Sequence, residues 1–283
     1  MSEPIPPAAE RPKSWAERLG PALPVALAAI ATTFAGMSSS EMARAMFWRS
    51  AAAQDQAKAA SQWTLAGFKR DRALIAGAAA ANLRATVNTT LPAPVKTSEG
   101  YRWLAGFGPS KVAPQEIDDP KIQAVLDAIL RHDPDEVVLP LAALVSFPAI
   151  NKAIRDAELA DDAADRLWKP TLEDADQLAS TISPPAVGQA ARFDLDARRY
   201  RMEVKLNQAI SQVYEVRVRV TTAESDRHRK RSENFFYAML VGQLGATGSA
   251  LALGRQRKSA LWSLAGLAGL VAVGFGGYVY LTM

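Results

Sequence analysis

The sequence contains no cysteine and only two histidines among its 283 residues. Without cysteine the chain has no disulfide framework and no thiolate for redox chemistry or zinc binding. It also lacks a glycine-rich phosphate loop and a nucleophile elbow, and its two histidines support no Ser-His-Asp order. These absences argue against an enzyme, and no catalytic residue, cofactor or metal ligand is predicted.

Each histidine has a specific local context. His132 precedes Asp133 and Pro134, and the carboxylates around it make a metal site one alternative. The sequence favours instead the C-terminal cap of one helix followed at once by the start of another. His228 lies among basic residues and is predicted to be solvated or to face lipid headgroups.

Charged residues are missing from two long runs near the C-terminus, 235–254 and 260–283. Each is close to the roughly 20 apolar residues that cross about 30 Å of hydrocarbon. The basic segment 255–259 joins them, so the sequence predicts two transmembrane helices with a basic turn. A third apolar run, 19–37, is predicted as an uncleaved anchor, with a cleaved signal peptide ending near Ala35 as the alternative.

Small residues recur at helical spacing in the two C-terminal spans and predict close packing of the helices. They are Gly242, Gly245 and Ser249 in the first span and Ala265, Gly269, Ala272 and Gly276 in the second. Gln243 is the strongly polar residue near mid-span. It is predicted to make an interhelical hydrogen bond, with a polar site in a conduction path as the alternative.

A basic cluster precedes the first of these spans and comprises Arg227, Arg229, Lys230 and Arg231. Nucleic-acid binding requires a basic face with interleaved stacking or readout groups, and none is interleaved here. The cluster is therefore predicted to contact anionic lipid headgroups, and no nucleic-acid partner is expected.

Proline is absent from two long segments, 38–90 and 188–234, which are predicted as the two helices of an antiparallel stalk. The valines of 216–220 alternate with arginines as in a strand, but the unbroken length favours a helix. Apolar residues at near-helical spacing predict an imperfect helical stripe on the first segment: Met42, Met46, Ala53, Ala57, Ala60, Leu65, Phe68 and Ile75. The apolar run 73–83 is too short to span and is predicted as a buried helix face.

Residues 91–187 are rich in proline and acidic. Residues 93–187 hold 9 Lys and Arg against 16 Asp and Glu, a net charge of −7, and the remainder of the chain has a net charge of +11. The sequence predicts a small helical head, with a protein partner as one role for its acidic surface. Its helices are predicted at about 120–132, 135–146, 149–168 and 171–182, with prolines at or near their ends.

The arrangement resembles a bacterial family of membrane proteins, that of domain of unknown function 4337. Three features carry the resemblance: the anchor followed by the run AASQW at 59–63 with Lys69 and Arg70 after it, the charged helix 198–231 leading into a span, and the closing two-span hairpin. The resemblance implies a bacterial membrane protein and assigns no activity.

The sequence as a whole predicts an all-α membrane protein with a disordered tail at 1–18, three transmembrane helices, a long antiparallel stalk and a small head. The expected function is a non-enzymatic scaffold or assembly protein that forms homo-oligomers in the bilayer. The alternative is a subunit or accessory of a small channel or transporter. The expected location is the bacterial inner membrane, with the soluble part on the non-cytoplasmic side, because the tail and the 255–259 turn each carry three basic residues. The basic residues of 227–231, with Arg44 and Arg49, favour the reverse orientation by the same rule, which is the alternative.

Overall fold

The computed structural model describes residues 21–86, 119–181, 185–254 and 260–282. These ranges are helical, with no strand in any of them, which confirms the all-α class. The helices are α1 (Ala22–Thr86), α2 (Pro120–Leu130), α3 (Asp135–Ala142), α4 (Phe147–Thr181), α5 (Pro185–Gly254) and α6 (Ala260–Thr282).

Parts of several predicted segments lie outside the described residues: the tail 1–18, the start of the anchor, residues 87–118 and the basic turn 255–259. Within the described part, the predicted boundaries at 37/38 and 234/235 fall inside α1 and α5. Each of these helices therefore continues from an apolar span into a polar segment without a break. Residues 216–220 are helical, so the strand alternative is wrong.

The chain divides into two compact units. Unit 1 comprises Met1–Phe47 and Ser225–Met283, and unit 2 comprises Trp48–Glu224. Unit 1 holds the predicted spans, and unit 2 holds α2, α3 and α4 together with the polar parts of α1 and α5.

Three described helices are long and apolar enough to cross a membrane: α1, α5 and α6. They are compatible with a multi-pass membrane protein. The pair α3 and α4, bent by 97°, brings the number of candidates to four if it is counted as one span. Val138, Ala142 and Ile150 of this pair are buried in unit 2, so it contributes to a protein core.

Apolar side chains from five helices, α1 to α5, form the core of unit 2. α2 supplies its amphipathic face, as the sequence predicts, and α5 supplies the largest share. The buried members are Ala59, Ile122, Val125, Leu126, Ala128, Val138, Ala142, Val145, Ile150, Ile154, Ile210, Val213, Tyr214, Val216 and Val220. Trp48 adds an edge contact by stacking on Phe147, with 4.7 Å between the ring centroids.

His132 ends α2 in the left-handed backbone conformation, with φ of 60°. Its amide donates to the Ile129 carbonyl, and the amide of Asp133 donates to the Ala128 carbonyl. This pattern satisfies the last carbonyls of the helix. The sequence-based interpretation of His132 as a helix cap is confirmed, and α3 follows directly, with Asp135 in its first turn.

The prediction of two helices on either side of Pro170 is wrong, because α4 runs through it. Proline removes one backbone hydrogen bond and strains a helix interior. Buried residues lie on both sides, namely Ala164, Trp168, Thr171 and Ala175. Their packing offsets the local cost of the proline.

The packed face of α1 in unit 2 is marked by alanine at every seventh residue. The buried positions are Ala52, Ala59, Ala66, Ala73 and Ala80. The predicted stripe is not the packed face of α1, because Phe68 and Ile75 are 63% and 70% exposed. Small side chains let two helices approach closely, so alanine occupies the contact and larger residues lie outside it. Within the run 73–83, Ala73, Ala76 and Ala80 are buried, and Leu74 is exposed.

Unit 1 packs α1, α5 and α6 through small residues. Gly242 lies against Ala31, and Gly245 lies against Ala268 and Leu27. Gly269 lies under the Leu27 side chain. A second cluster joins the rings of Phe34 and Phe235, whose centroids are 6.2 Å apart, to Ala238, Ala272 and Val279. The small residues of α5 and α6 thus adjoin the apolar part of α1 as well as each other.

Gly276→Ala should destabilise unit 1, because the added methyl group would overlap the ring of Phe34. Overpacking of this kind costs about 1–3 kcal/mol. Gly274→Ala, on the same helix but with open space at the new methyl group, is the matched control. Thermal unfolding of the full chain in detergent should show a lower Tm for G276A than for G274A. Equal values would contradict the packing described here.

Candidate functional site: a polar seam along the long helices

A second set of positions on α1, also seven residues apart, carries polar side chains. In unit 2 these are Asp55, Gln62 and Lys69, and each contacts a polar side chain of α5. We call this set, with its α5 partners, the polar seam. Apolar burial dominates most helix contacts, so a polar side chain repeated at this position is a candidate for pairing specificity.

Asp55 pairs with Arg217, with 3.0 Å between the carboxylate oxygen and the guanidinium Nε. Arg217 interrupts an otherwise apolar line on α5, and this ion pair accounts for its position. Burial raises the pKa of Asp55 and is the larger effect, while the charges of Arg217 and Lys58 lower it. A carboxylate buried in this way is stabilised only while its partner is present.

Next along the seam, the Asn207 amide donates to Gln62 Oε1 at 3.2 Å. Ser211 donates to the backbone carbonyl of Ala59 at 2.9 Å, so a side chain of α5 reaches the backbone of α1 at an alanine position. Trp63, adjacent to Gln62, donates its indole N–H to Glu215 at 2.6 Å. These contacts fix which residues of the two helices lie opposite each other in unit 2.

The seam then reaches a group of charges around Lys69. Its ammonium lies 3.1 Å from Glu203, and Arg199 lies 3.2 Å from the other oxygen of that carboxylate. Asp161 of α4 lies in the same electrostatic environment. Burial raises the pKa of Asp161, Lys69 opposes the shift, and the neighbouring carboxylates Asp165, Glu203 and Asp162 reinforce it.

Tyr214 links the seam to α4 by donating its hydroxyl to Glu158 at 2.9 Å. Burial raises the pKa of Tyr214 to about 12, and the bond to Glu158 adds to the shift. Lys58 lies over the ring, 5.5 Å from its centroid. A phenol held protonated in this way acts as a hydrogen-bond donor.

In unit 1 a buried carboxylate collects several basic groups. Glu41 is 7% exposed, and one of its oxygens lies 2.5 Å from His228 Nδ1. Arg44 and Arg231 lie 3.4 Å and 3.7 Å from the other oxygen. The prediction that His228 is solvated or faces headgroups is wrong, because burial beside Glu41 withdraws its ring from the surface. Glu41 lies 187 positions from His228 in the sequence, and no sequence pattern near His228 indicates their contact.

Serines flank this group but are not poised as nucleophiles. Ser225 donates to the Ala45 carbonyl at 2.9 Å, and Ser232 donates to the Ser38 carbonyl at 2.8 Å. Ser38 in turn donates to the Ser232 carbonyl. A nucleophile needs its hydroxyl within reach of a base, whereas these hydroxyls bond to backbone carbonyls. These hydrogen bonds therefore join α1 to α5 in unit 1.

The four basic residues predicted to contact lipid headgroups do not all face the same way. Arg231 is turned toward Glu41. Arg229 lies near Asp226 and Glu233 of its own helix, at 3.6 Å and 3.7 Å. Arg227 and Lys230 are exposed. The structure thus separates one inward-facing arginine from three outward-facing residues that remain accessible to a membrane surface.

The predicted packing residues of the spans all lie on buried faces: Gly242, Gly245, Ser249, Ala265, Gly269, Ala272 and Gly276. Gln243 does not. Its side chain is exposed and, within the described residues, makes no hydrogen bond; its backbone carbonyl accepts one from Thr247 at 3.0 Å. The interhelical bond predicted for Gln243 is therefore absent from the contacts between the described helices of this chain.

Metal binding has no support in the described ranges, where no group of three or more His, Cys, Asp or Glu side chains is arranged to hold an ion. The acidic run of α4 is largely exposed, with Asp156, Asp162 and Asp165 on its outer face.

Comparison with protein-family models, with curated proteins and with solved structures finds no match. The resemblance to the family of domain of unknown function 4337 stays a prediction, and the function must be argued from the geometry.

Asp161→Asn should stabilise the chain at pH 7, and the gain should shrink as the pH falls toward 4. The pKa of Asp161 is raised by folding above its ordinary value of about 3.9, so the folded state binds this proton more tightly than the unfolded state. The stability that depends on the proton is present at low pH and is lost as pH rises between the two pKa values.

Melting temperatures of the full chain in detergent between pH 4 and pH 7 test this prediction. Asp162→Asn is the control, because Asp162 is an exposed neighbour on the same helix. It should change Tm little across the range. A gain for D161N that is constant or grows on acidification would show that the charge of Asp161 carries no folding cost.

Proposed function

We propose that this protein is a non-enzymatic membrane scaffold whose long helices mediate self-association. The observation that carries the proposal is an apolar stripe on the outer face of α1 in unit 2, formed by Leu65, Phe68 and Ile75, all exposed. Their spacing of three and seven residues places them on one side of the helix, rotated by about 80° or more from the buried Ala66 and Ala73. We call these three residues the outer stripe.

The outer stripe lies far along α1 from the predicted span, so lipid is not its expected environment. Exposed apolar patches on the polar part of a protein are typical of protein interaction sites. We propose that a second copy of this chain covers the outer stripe. Asp71 and Arg72 lie between Phe68 and Ile75 in the sequence, are exposed and carry opposite charges, so two copies related by a two-fold axis can place unlike charges opposite each other.

We also propose that the chain forms the stalk and head that the sequence predicts. The contacts in unit 2 support an antiparallel pair, because partners on α5 decrease in number as those on α1 increase: Asp55 with Arg217, Gln62 with Asn207 and Lys69 with Glu203. α2, α3 and the first part of α4 would form the head beside this pair, with their exposed acidic side chains available to a protein partner.

Replacing the outer stripe by Leu65→Gln, Phe68→Gln and Ile75→Gln should reduce the oligomeric mass of the protein without reducing its helix content. Leu159→Gln is the control, because Leu159 is also exposed but lies on α4. Crosslinking in native lipid followed by mass measurement reads out the number of copies. A triple variant with the wild-type mass would contradict a role for the stripe. A wild-type chain that is a single copy, or one captured only with a different protein, would contradict self-association.

A channel or transport accessory is the second candidate, and the outward position of Gln243 is what favours it. Several copies could line a polar path with this side chain. If the protein is a channel, vesicles that contain it should take up ions or solutes, and Gln243→Leu should abolish this flux. The scaffold function expects no flux that depends on Gln243.

For orientation, we propose the bacterial inner membrane with unit 2 on the non-cytoplasmic side. Arg11, Lys13 and Arg18 in the tail and the three basic residues of the 255–259 turn lie on one side of a three-span protein. Basic residues in short segments favour the cytoplasm. A reporter that fluoresces only in the cytoplasm, fused after Met283, should therefore stay dark. A bright fusion would reverse the orientation and place unit 2 in the cytoplasm.

A further inference from the structure

Gln243 is a strongly polar side chain on the outward face of an apolar span. The span begins at Phe235, so Gln243 lies near its middle, where lipid offers no hydrogen-bond partner. Other polar side chains of the apolar helices satisfy themselves internally. Thr32 and Thr33 of α1 donate to carbonyls one turn earlier at 2.9 Å, and Thr247 does the same on α5.

Gln243 differs from these threonines because its amide has two N–H donors and a carbonyl acceptor on a longer side chain. None of these groups is bonded within the described residues. An unpaired amide in hydrocarbon carries a desolvation cost, and the cost is removed when the amide finds a partner. A partner from another helix is therefore favoured.

We propose that Gln243 pairs with Gln243 of a second copy of this chain, so that the outward face of α5 is a dimer contact within the bilayer. This inference rests on the proposed self-association and assigns one surface to it. Copies inserted in the same direction form a symmetric dimer about an axis along the membrane normal, and identical residues then meet at the same depth. An amide is self-complementary, since each N–H₂ can donate to the carbonyl of the other.

The residues around Gln243 suit such a contact. Phe236, Leu240, Thr247 and Ala250 lie within about one third of the helix circumference around it, and all are exposed. Toward the C-terminal end this face is small, with Thr247 and Ala250, which allows two copies of α5 to approach each other. The opposite face, with Gly242 and Gly245, is already packed within the chain.

The absence of cysteine in the sequence gives a direct test, because a single introduced thiol is the only one in the chain. Ala250→Cys places that thiol two turns from Gln243 on the same face. Leu270→Cys, at an exposed position of α6, is the control. In vesicles at low protein density, oxidation should convert A250C to a disulfide-linked dimer, and L270C should remain a monomer.

Adding Gln243→Leu to A250C should weaken dimerisation on the order of tenfold, because losing an interhelical hydrogen bond in a bilayer lowers the association constant by about that factor. Gln243→Asn, which keeps an amide, should retain part of the association. Leucine at an exposed mid-span position is compatible with folding, and helix content by circular dichroism checks this.

Counting fluorescent copies in the same vesicles separates the two proposals. If wild type and Gln243→Leu are oligomeric to the same extent, the Gln243 contact is overturned while the scaffold function stands. If both are single copies, self-association itself is overturned. Crosslinking of A250C that is unchanged by Gln243→Leu would likewise overturn the assignment of this surface.

Discussion

The close contact along α1 depends on an alanine at every seventh residue. Five such alanines are buried in unit 2, and the same interval continues to Ala45 in unit 1. A methyl group lets a neighbouring helix approach closely but buries little apolar area, so each alanine contributes less than a leucine would. The larger apolar residues of α2, α3, α4 and α5 supply the rest of the core of unit 2.

A repeated alanine face cannot by itself define the register of two helices, because a shift of seven residues restores the same surface. The polar seam removes this ambiguity. After such a shift Gln62 would lie where Asp55 meets Arg217, and Lys69 would lie where Gln62 meets Asn207. Asp55 would then lose Arg217, and a buried charge left without its partner is strongly destabilising. Polar side chains in a helix contact thus lower the stability of the helix pair but select one register.

Composition and breaker positions were sufficient to predict the helical class, the three apolar helices and the cap at His132. The predicted stripe of α1 followed other positions of the helix, whereas the contact face is formed by alanines whose interval of seven is visible in the sequence. Glu41 beside His228 and Asp55 beside Arg217 join residues more than 150 positions apart, which local patterns do not reveal. Gln243 was visible as a polar residue, but its direction depends on which face of α5 packs against α1 and α6.

Pairing of α1 with α5 in one register is the central claim, and a single disulfide tests it most directly. Ser211 donates to the Ala59 carbonyl, so Ala59→Cys with Ser211→Cys places the only two thiols of the chain at the contact. Oxidation of the full chain in detergent should give an intramolecular disulfide at the mass of one copy, and Ala73→Cys with Ser211→Cys, two repeats out of register, should not close. Failure of the first pair to close, or equal closure of both pairs, would contradict the arrangement.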